Sequence, residues 1–197
     1  MSTQAHTPAL HQATLVIGGV RSGKSRFVQE YATRLSAGGR VVFIATARHD
    51  SSDLSLAARI ARHRASRPAH WETVEAPVAL SGAITALAIE PPPAAILVDC
   101  LTLWLSNMLL RTGDAEAKDF ADRARVEFEH ETAALLSAIR SASSAIVLVT
   151  NEVGSGIAPA TALGNVFADL QGELNQAVAA ECATVFHVVA GIPTRIK

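Results

Sequence analysis

Apolar runs rich in β-branched residues recur along the chain at Ala13–Ile17, Arg40–Thr46, Ala94–Cys100, Ala145–Thr150 and Thr184–Ala190. Each is nearly continuous rather than alternating, as expected of strands buried on both faces of a mostly parallel sheet. A shorter strand is expected around Trp71–Glu75. Between the runs, helical periodicity predicts helices at Lys24–Ser36, Asp53–Ala65, Val78–Ile89, Leu101–Leu110, Ala115–Arg140 and Thr161–Glu181. Gly38-Gly39 and Pro91-Pro92-Pro93 mark stops between elements, and the polar stretch Thr112–Asp119 reads as a loop. The pattern predicts an α/β fold of three layers, with a single domain over residues 13–197 and a mobile N-terminal tail over 1–12.

Composition narrows the class. At 197 residues the chain is long enough for a substantial core, and 49% hydrophobic against 18% charged residues argues against disorder. A net charge of −1 leaves no basic footprint for nucleic acid. The most apolar window, Leu97–Leu110, contains Asp99 and Asn107 and is too short to span a bilayer, so it reads as core or subunit interface. The start of the chain lacks the basic and apolar regions of a signal peptide. Cys100 and Cys182 have no metal-ligand spacing and suit a reducing, cytoplasmic setting as buried apolar residues.

The chemistry begins after the first strand. Gly18-Gly19-Val20-Arg21-Ser22-Gly23-Lys24-Ser25 matches G-x-x-x-x-G-K-[ST], the phosphate-binding loop (P-loop) of nucleoside-triphosphate enzymes, in its required strand–loop–helix context. Glycines let the backbone approach a polyphosphate, and amide N–H groups converge at the helix N-terminus. Lys24 supplies charge for the β- and γ-phosphates, and the Ser25 hydroxyl can ligate Mg²⁺.

Asp99 ends the strand Ala94–Cys100, the position from which P-loop enzymes hold Mg²⁺; the alternative is a cap on the following helix. Arg59, His63 and Arg67 share one helical face if the helix reaches that far before Pro68. The arginines suit phosphate, and nearby cations keep His63 neutral and nucleophilic; the alternative is a solvated basic face with an idle histidine. Asn151-Glu152-Val153-Gly154-Ser155-Gly156 follows the strand Ala145–Thr150 and should approach the P-loop. Glu152 could orient a substrate hydroxyl or a metal-bound water, or Asn151-Glu152 could simply cap the turn. Asp169-x-x-Gly172 mimics a GTPase switch motif but lies in a helical pattern, with no N-K-x-D guanine reader in the chain.

Taken together, these residues resemble the bifunctional adenosylcobinamide kinase / adenosylcobinamide-phosphate guanylyltransferases of cobalamin biosynthesis. The resemblance runs from about Leu15 to Lys197. It is carried by GGVRSGKSR at 18–26, IATA at 44–47, AARIARHR at 57–64, RPAHWETVE at 67–75, VDCLTLWLSN at 98–107, TNEVGSGIAP at 150–159 and VVAGIPTRIK at 188–197. It implies a RecA-like P-loop fold and a two-step reaction. ATP or GTP phosphorylates adenosylcobinamide, and GMP from GTP then passes through a histidine, here His63, to give adenosylcobinamide-GDP and pyrophosphate. It also implies nucleotide contacts at Gly18–Ser25, Thr46, Ala47, Arg48, Arg64, Ala65, Ser66, Arg67, Glu75 and Asp99, and a ring-like homotrimer.

The chain departs from the family pattern in two places. An acidic run before Ala57 is replaced by SSDLSL at 51–56, and the arginine-bearing segment after Ile157 reads PATALGNVFAD at 159–169. The second change keeps alive a single-activity P-loop kinase. A nucleotide-binding regulatory module is a further alternative, against which the retained Lys24, Ser25, Asp99 and His63 speak.

Overall fold

The computed structural model describes residues 13–48, 67–89 and 91–197. The expected helix over 53–65 and the tail over 1–12 lie outside the described residues. In chain order the elements are β1 (Ala13–Gly18), α1 (Lys24–Ser36), β2 (Val41–Ala45), β3 (Glu72–Glu75), α2 (Leu80–Ala86), β4 (Ala95–Asp99), α3 (Leu101–Thr112), α4 (Phe120–Ser141), β5 (Ala145–Asn151), α5 (Ala162–Glu181), β6 (Thr184–Val189) and β7 (Ile192–Arg195).

The strands form one sheet in the order β3-β2-β4-β5-β1-β6-β7. Every pairing is parallel except β6 with β7. Successive residues of the central strands enter opposite cores. Leu97 of β4 packs with Val28 and Ala32 of α1, whereas Ile96 and Val98 pack with α2, α3, α4 and α5. The continuous apolar runs follow from this burial on two faces. The result is the expected three-layer P-loop NTPase-like fold.

Two helices depart from the periodicity by three residues or more. α4 begins at Phe120 rather than Ala115. Asp114 accepts a hydrogen bond at its Oδ1 from the Glu116 N–H (3.0 Å), and its carbonyl accepts from Ala117 (3.2 Å). This local turn competes with helix propagation. α2 is confined to Leu80–Ala86, with turns replacing its expected last residues. The sequence reading also missed β7. The last strand turns back on β6 through Ala190 (φ 51°) and Gly191 (φ 81°). Two successive positive φ values are what a two-residue type I′ hairpin requires.

The window Leu97–Leu110 is chiefly core: Leu101, Trp104 and Leu105 are fully buried, while Leu103 and Leu110 remain exposed. Both cysteines are buried free thiols.

Candidate active site

Parallel pairing brings the carboxyl ends of β3, β2, β4, β5, β1 and β6 to one edge of the sheet. The register sets Glu75 beside Ala45, Ala45 beside Asp99, Asp99 beside Val149, and Asn151 beside Gly18. Most candidates scattered through the sequence thus become neighbours on that edge, where open α/β sheets bind ligands.

The P-loop leaves β1 at Gly18 and enters α1 at Lys24. Its path needs two left-handed residues, Arg21 (φ 57°) and Gly23 (φ 98°). The Lys24 ammonium is buried and donates to the carbonyls of Gly18 and Gly19, both at 2.7 Å. Burial pushes its pKa down, and Cys100 and Asp99 nearby oppose that shift. Gly18 also accepts the Glu152 N–H at 3.2 Å, so one carbonyl joins the P-loop to the loop after β5.

The Asp99 carboxylate, at the end of β4, is near enough to favour the charged form of Lys24. Cys100 lies beside them, but burial pushes its thiol up to about 12, which leaves it neutral at ordinary pH. Glu152 accepts the Gly154 N–H at 2.7 Å through Oε1, so one carboxylate oxygen caps its own turn. The Asn151 amide is fixed from both sides: its N–H donates to Thr102 (2.9 Å) and its carbonyl accepts from Asn175 (3.1 Å).

Thr46 is completely buried. Its hydroxyl donates to the Cys100 carbonyl and accepts from the Cys100 N–H, both at 2.8 Å. This side chain locks β2 to the segment following Asp99. Ala47 is half-buried, and Arg48 and Glu75 are exposed at the same edge. Arg67 is placed differently. Its guanidinium stacks over the Phe43 ring at 3.5 Å and reaches Thr73 at 3.4 Å, mid-strand on β2 and β3 rather than at their ends. Arg59, His63, Arg64, Ala65 and Ser66 lie outside the described residues.

Sequence reasoning missed the supports beneath the site. Asn107 of α3 donates to the carbonyls of Thr46 (2.7 Å) and Pro77 (2.9 Å), tying together the segments after β2 and β3. Under β5, Thr150 donates to Asn175 (2.7 Å), and Gln171 donates to Thr150 (3.0 Å) and Asn175 (2.9 Å). The available signal was the presence of amide side chains at otherwise apolar helix positions. Buried amides at such positions must find partners, and here the partners are the strand ends.

A P-loop opening α1, with a carboxylate ending a nearby parallel strand, defines the class: a nucleoside-triphosphate-binding P-loop protein. The cobinamide kinase / cobinamide phosphate guanyltransferase family matches residues 14–196, so the chain belongs to that family of bifunctional enzymes. Among its relatives, the bifunctional adenosylcobalamin biosynthesis protein CobP of Pseudomonas aeruginosa is 41% identical over 183 residues, covering 93% of this chain and 96% of the relative. The protein CobU of Salmonella typhimurium is 41% identical over 187 residues (93% and 98%), and CobU of Escherichia coli 38% over 185 (93% and 98%).

Proposed function

We propose that this chain performs both reactions at the one strand edge, with His63 as the covalent carrier of the guanylyl group. In the kinase step the substrate alcohol attacks the γ-phosphorus of ATP or GTP, the bond to the nucleoside diphosphate breaks, and the alcohol proton is lost. In the transferase step the neutral His63 imidazole attacks the α-phosphorus of GTP and pyrophosphate leaves. The phosphate of adenosylcobinamide phosphate then displaces His63, giving adenosylcobinamide-GDP and regenerating the enzyme. Splitting the transfer replaces one displacement between two anions by two attacks at separate times. The observation that carries this reading is the P-loop with its buried Lys24, in a chain whose family match spans the His63 segment.

Lys24, with the loop N–H groups, balances charge on the phosphates. The metal expected here is Mg²⁺. The donor set of Ser25 hydroxyl and Asp99 carboxylate suits it, because Mg²⁺ takes few protein ligands and completes its shell with phosphate oxygens and water. No cluster of three or more ligating side chains occurs among the described residues, as such a shared shell would not require. Held there, such an ion would neutralise phosphate charge. Arg48, Arg64, Ala65, Ser66, Arg67 and Glu75 complete the proposed nucleotide contacts, and Arg59 and Asn151 serve as supports. For Arg67, binding requires its guanidinium to leave the Phe43 ring.

We also read the protein as a cytoplasmic homotrimer. No described helix is long and apolar enough to cross a membrane. Exposed Leu103 and Leu110 on α3 offer a subunit contact.

Incubation with α-labelled GTP and Mg²⁺, followed by denaturation, tests the carrier. The expected product is an acid-labile, base-stable label that His63→Ala abolishes while kinase turnover persists. Kinase activity with no label in the unaltered protein would instead favour the single-activity kinase, with the arginine-free segment 159–169 as the first suspect.

A further inference from the structure

The terminal hairpin makes three close approaches to the P-loop. The Gly191 N–H donates to the Ser22 carbonyl at 2.7 Å. A Cβ on Gly23 would fall 2.8 Å from the Gly191 Cα, and a Cβ on Gly18 would fall 2.4 Å from the Val188 carbonyl oxygen. The first and last glycines of the motif are therefore glycines partly because the hairpin lies against them. Gly19, by contrast, has open space where its Cβ would stand. The hairpin is itself anchored to the loop's helix: Phe186 of β6 packs edge-on against Phe27 of α1, with centroids 5.0 Å apart.

We propose that Gly191 is a positioning residue that holds the P-loop in its triphosphate-binding conformation. The Gly191 N–H lies in the two-residue turn, outside the β6–β7 ladder, and is free to donate elsewhere. Its bond to the Ser22 carbonyl fixes the plane of the Ser22–Gly23 peptide. In a planar trans peptide the N–H points opposite to the C=O. Gripping the Ser22 oxygen from the hairpin side therefore turns the Gly23 N–H away from the hairpin. That N–H sits at the start of α1, where phosphate-binding amides belong. Released from the hairpin, the peptide can rotate, and a smaller competent population weakens apparent affinity in proportion. The turn that presents this amide takes two positive φ values, at Ala190 and Gly191.

The inference rests on the P-loop reading, and the test separates the two. Native Cys182 permits ligation of a thioester of residues 1–181 to a peptide of residues 182–197. Glycolate in place of Gly191 converts that one N–H to an ester oxygen. The all-amide ligation product, refolded identically, is the control. Calorimetry with inorganic tripolyphosphate, well below the melting temperature, is expected to give a Kd raised roughly threefold to tenfold, the size of one net hydrogen bond. A folded ester protein with the control's Kd overturns the inference, whatever its melting temperature does. A control that binds no tripolyphosphate overturns the P-loop reading and this inference with it. In the unaltered protein, saturating tripolyphosphate should slow hydrogen exchange at the Gly191 amide, because the coupling is reciprocal. Unchanged exchange there also overturns it.

Discussion

The Lys24 ammonium replaces lost water with two main-chain carbonyls, Gly18 and Gly19, and Asp99 supports its charge. Those interactions hold a buried cation where polyphosphate charge arrives. Lys24→Met keeps length and removes the charge. A kinase assay should show kcat/KM lowered on the order of a hundredfold or more, the scale of losing one preorganised charge-stabilising donor. Circular dichroism should report an intact fold. A second residue-scale consequence concerns Cys182, whose thiol is pushed up to about 12 from 9.0, chiefly by burial, with Lys197 opposing. The unfolded thiol ionises first, so its stabilisation is complete below pH 9 and declines toward pH 12. Relative to Cys182→Ala, the unaltered protein should lose up to ~1.4 kcal/mol of stability per pH unit across that window. Urea midpoints from pH 8 upward would measure the difference.

At the scale of elements, the site depends on how α3 and α5 hold the strand ends. Asn107 satisfies two carbonyls on segments distant in sequence, those of Thr46 and Pro77. Asn107→Leu keeps the volume and leaves both acceptors without that donor. A loss of roughly 2–3 kcal/mol is expected, from chemical denaturation. Nucleotide affinity should fall with it, because Thr46 and Glu75 lie on the two segments that Asn107 joins. The P-loop and most elements were legible because local periodicity and turn chemistry agree with the fold there. The buried amides were not: their partners come from other elements, and no local spacing announces them. Thr46 illustrates the difference. Its place beside the site follows from the motif, but the commitment of its hydroxyl to Cys100 follows only from β2 lying beside β4.

The whole molecule leaves apolar surface on α3 and α5. Leu109, Leu110, Leu163 and Phe167 line a cavity of about 240 Å³ between α3 and the start of α5, and Leu110 is 61% exposed. Sedimentation is expected to give a trimer of 20.7 kDa subunits, and Leu110→Glu is expected to shift it toward monomer. A monomer at all accessible concentrations would refute this assembly.

The sequence by itself determined the parallel sheet, the P-loop and its lysine, and the acid at the end of β4. These are local patterns: burial on two faces writes itself as continuous hydrophobicity, and a phosphate cradle requires glycine, lysine and serine at fixed offsets. The tertiary structure decided that the Thr46 hydroxyl is held by Cys100, that Arg67 rests on Phe43, and that the terminal turn grips the P-loop. Each of these depends on hydrogen bonds or contacts between residues far apart in sequence. Such partners are chosen when the chain closes on itself, where every buried donor and acceptor must be matched at once.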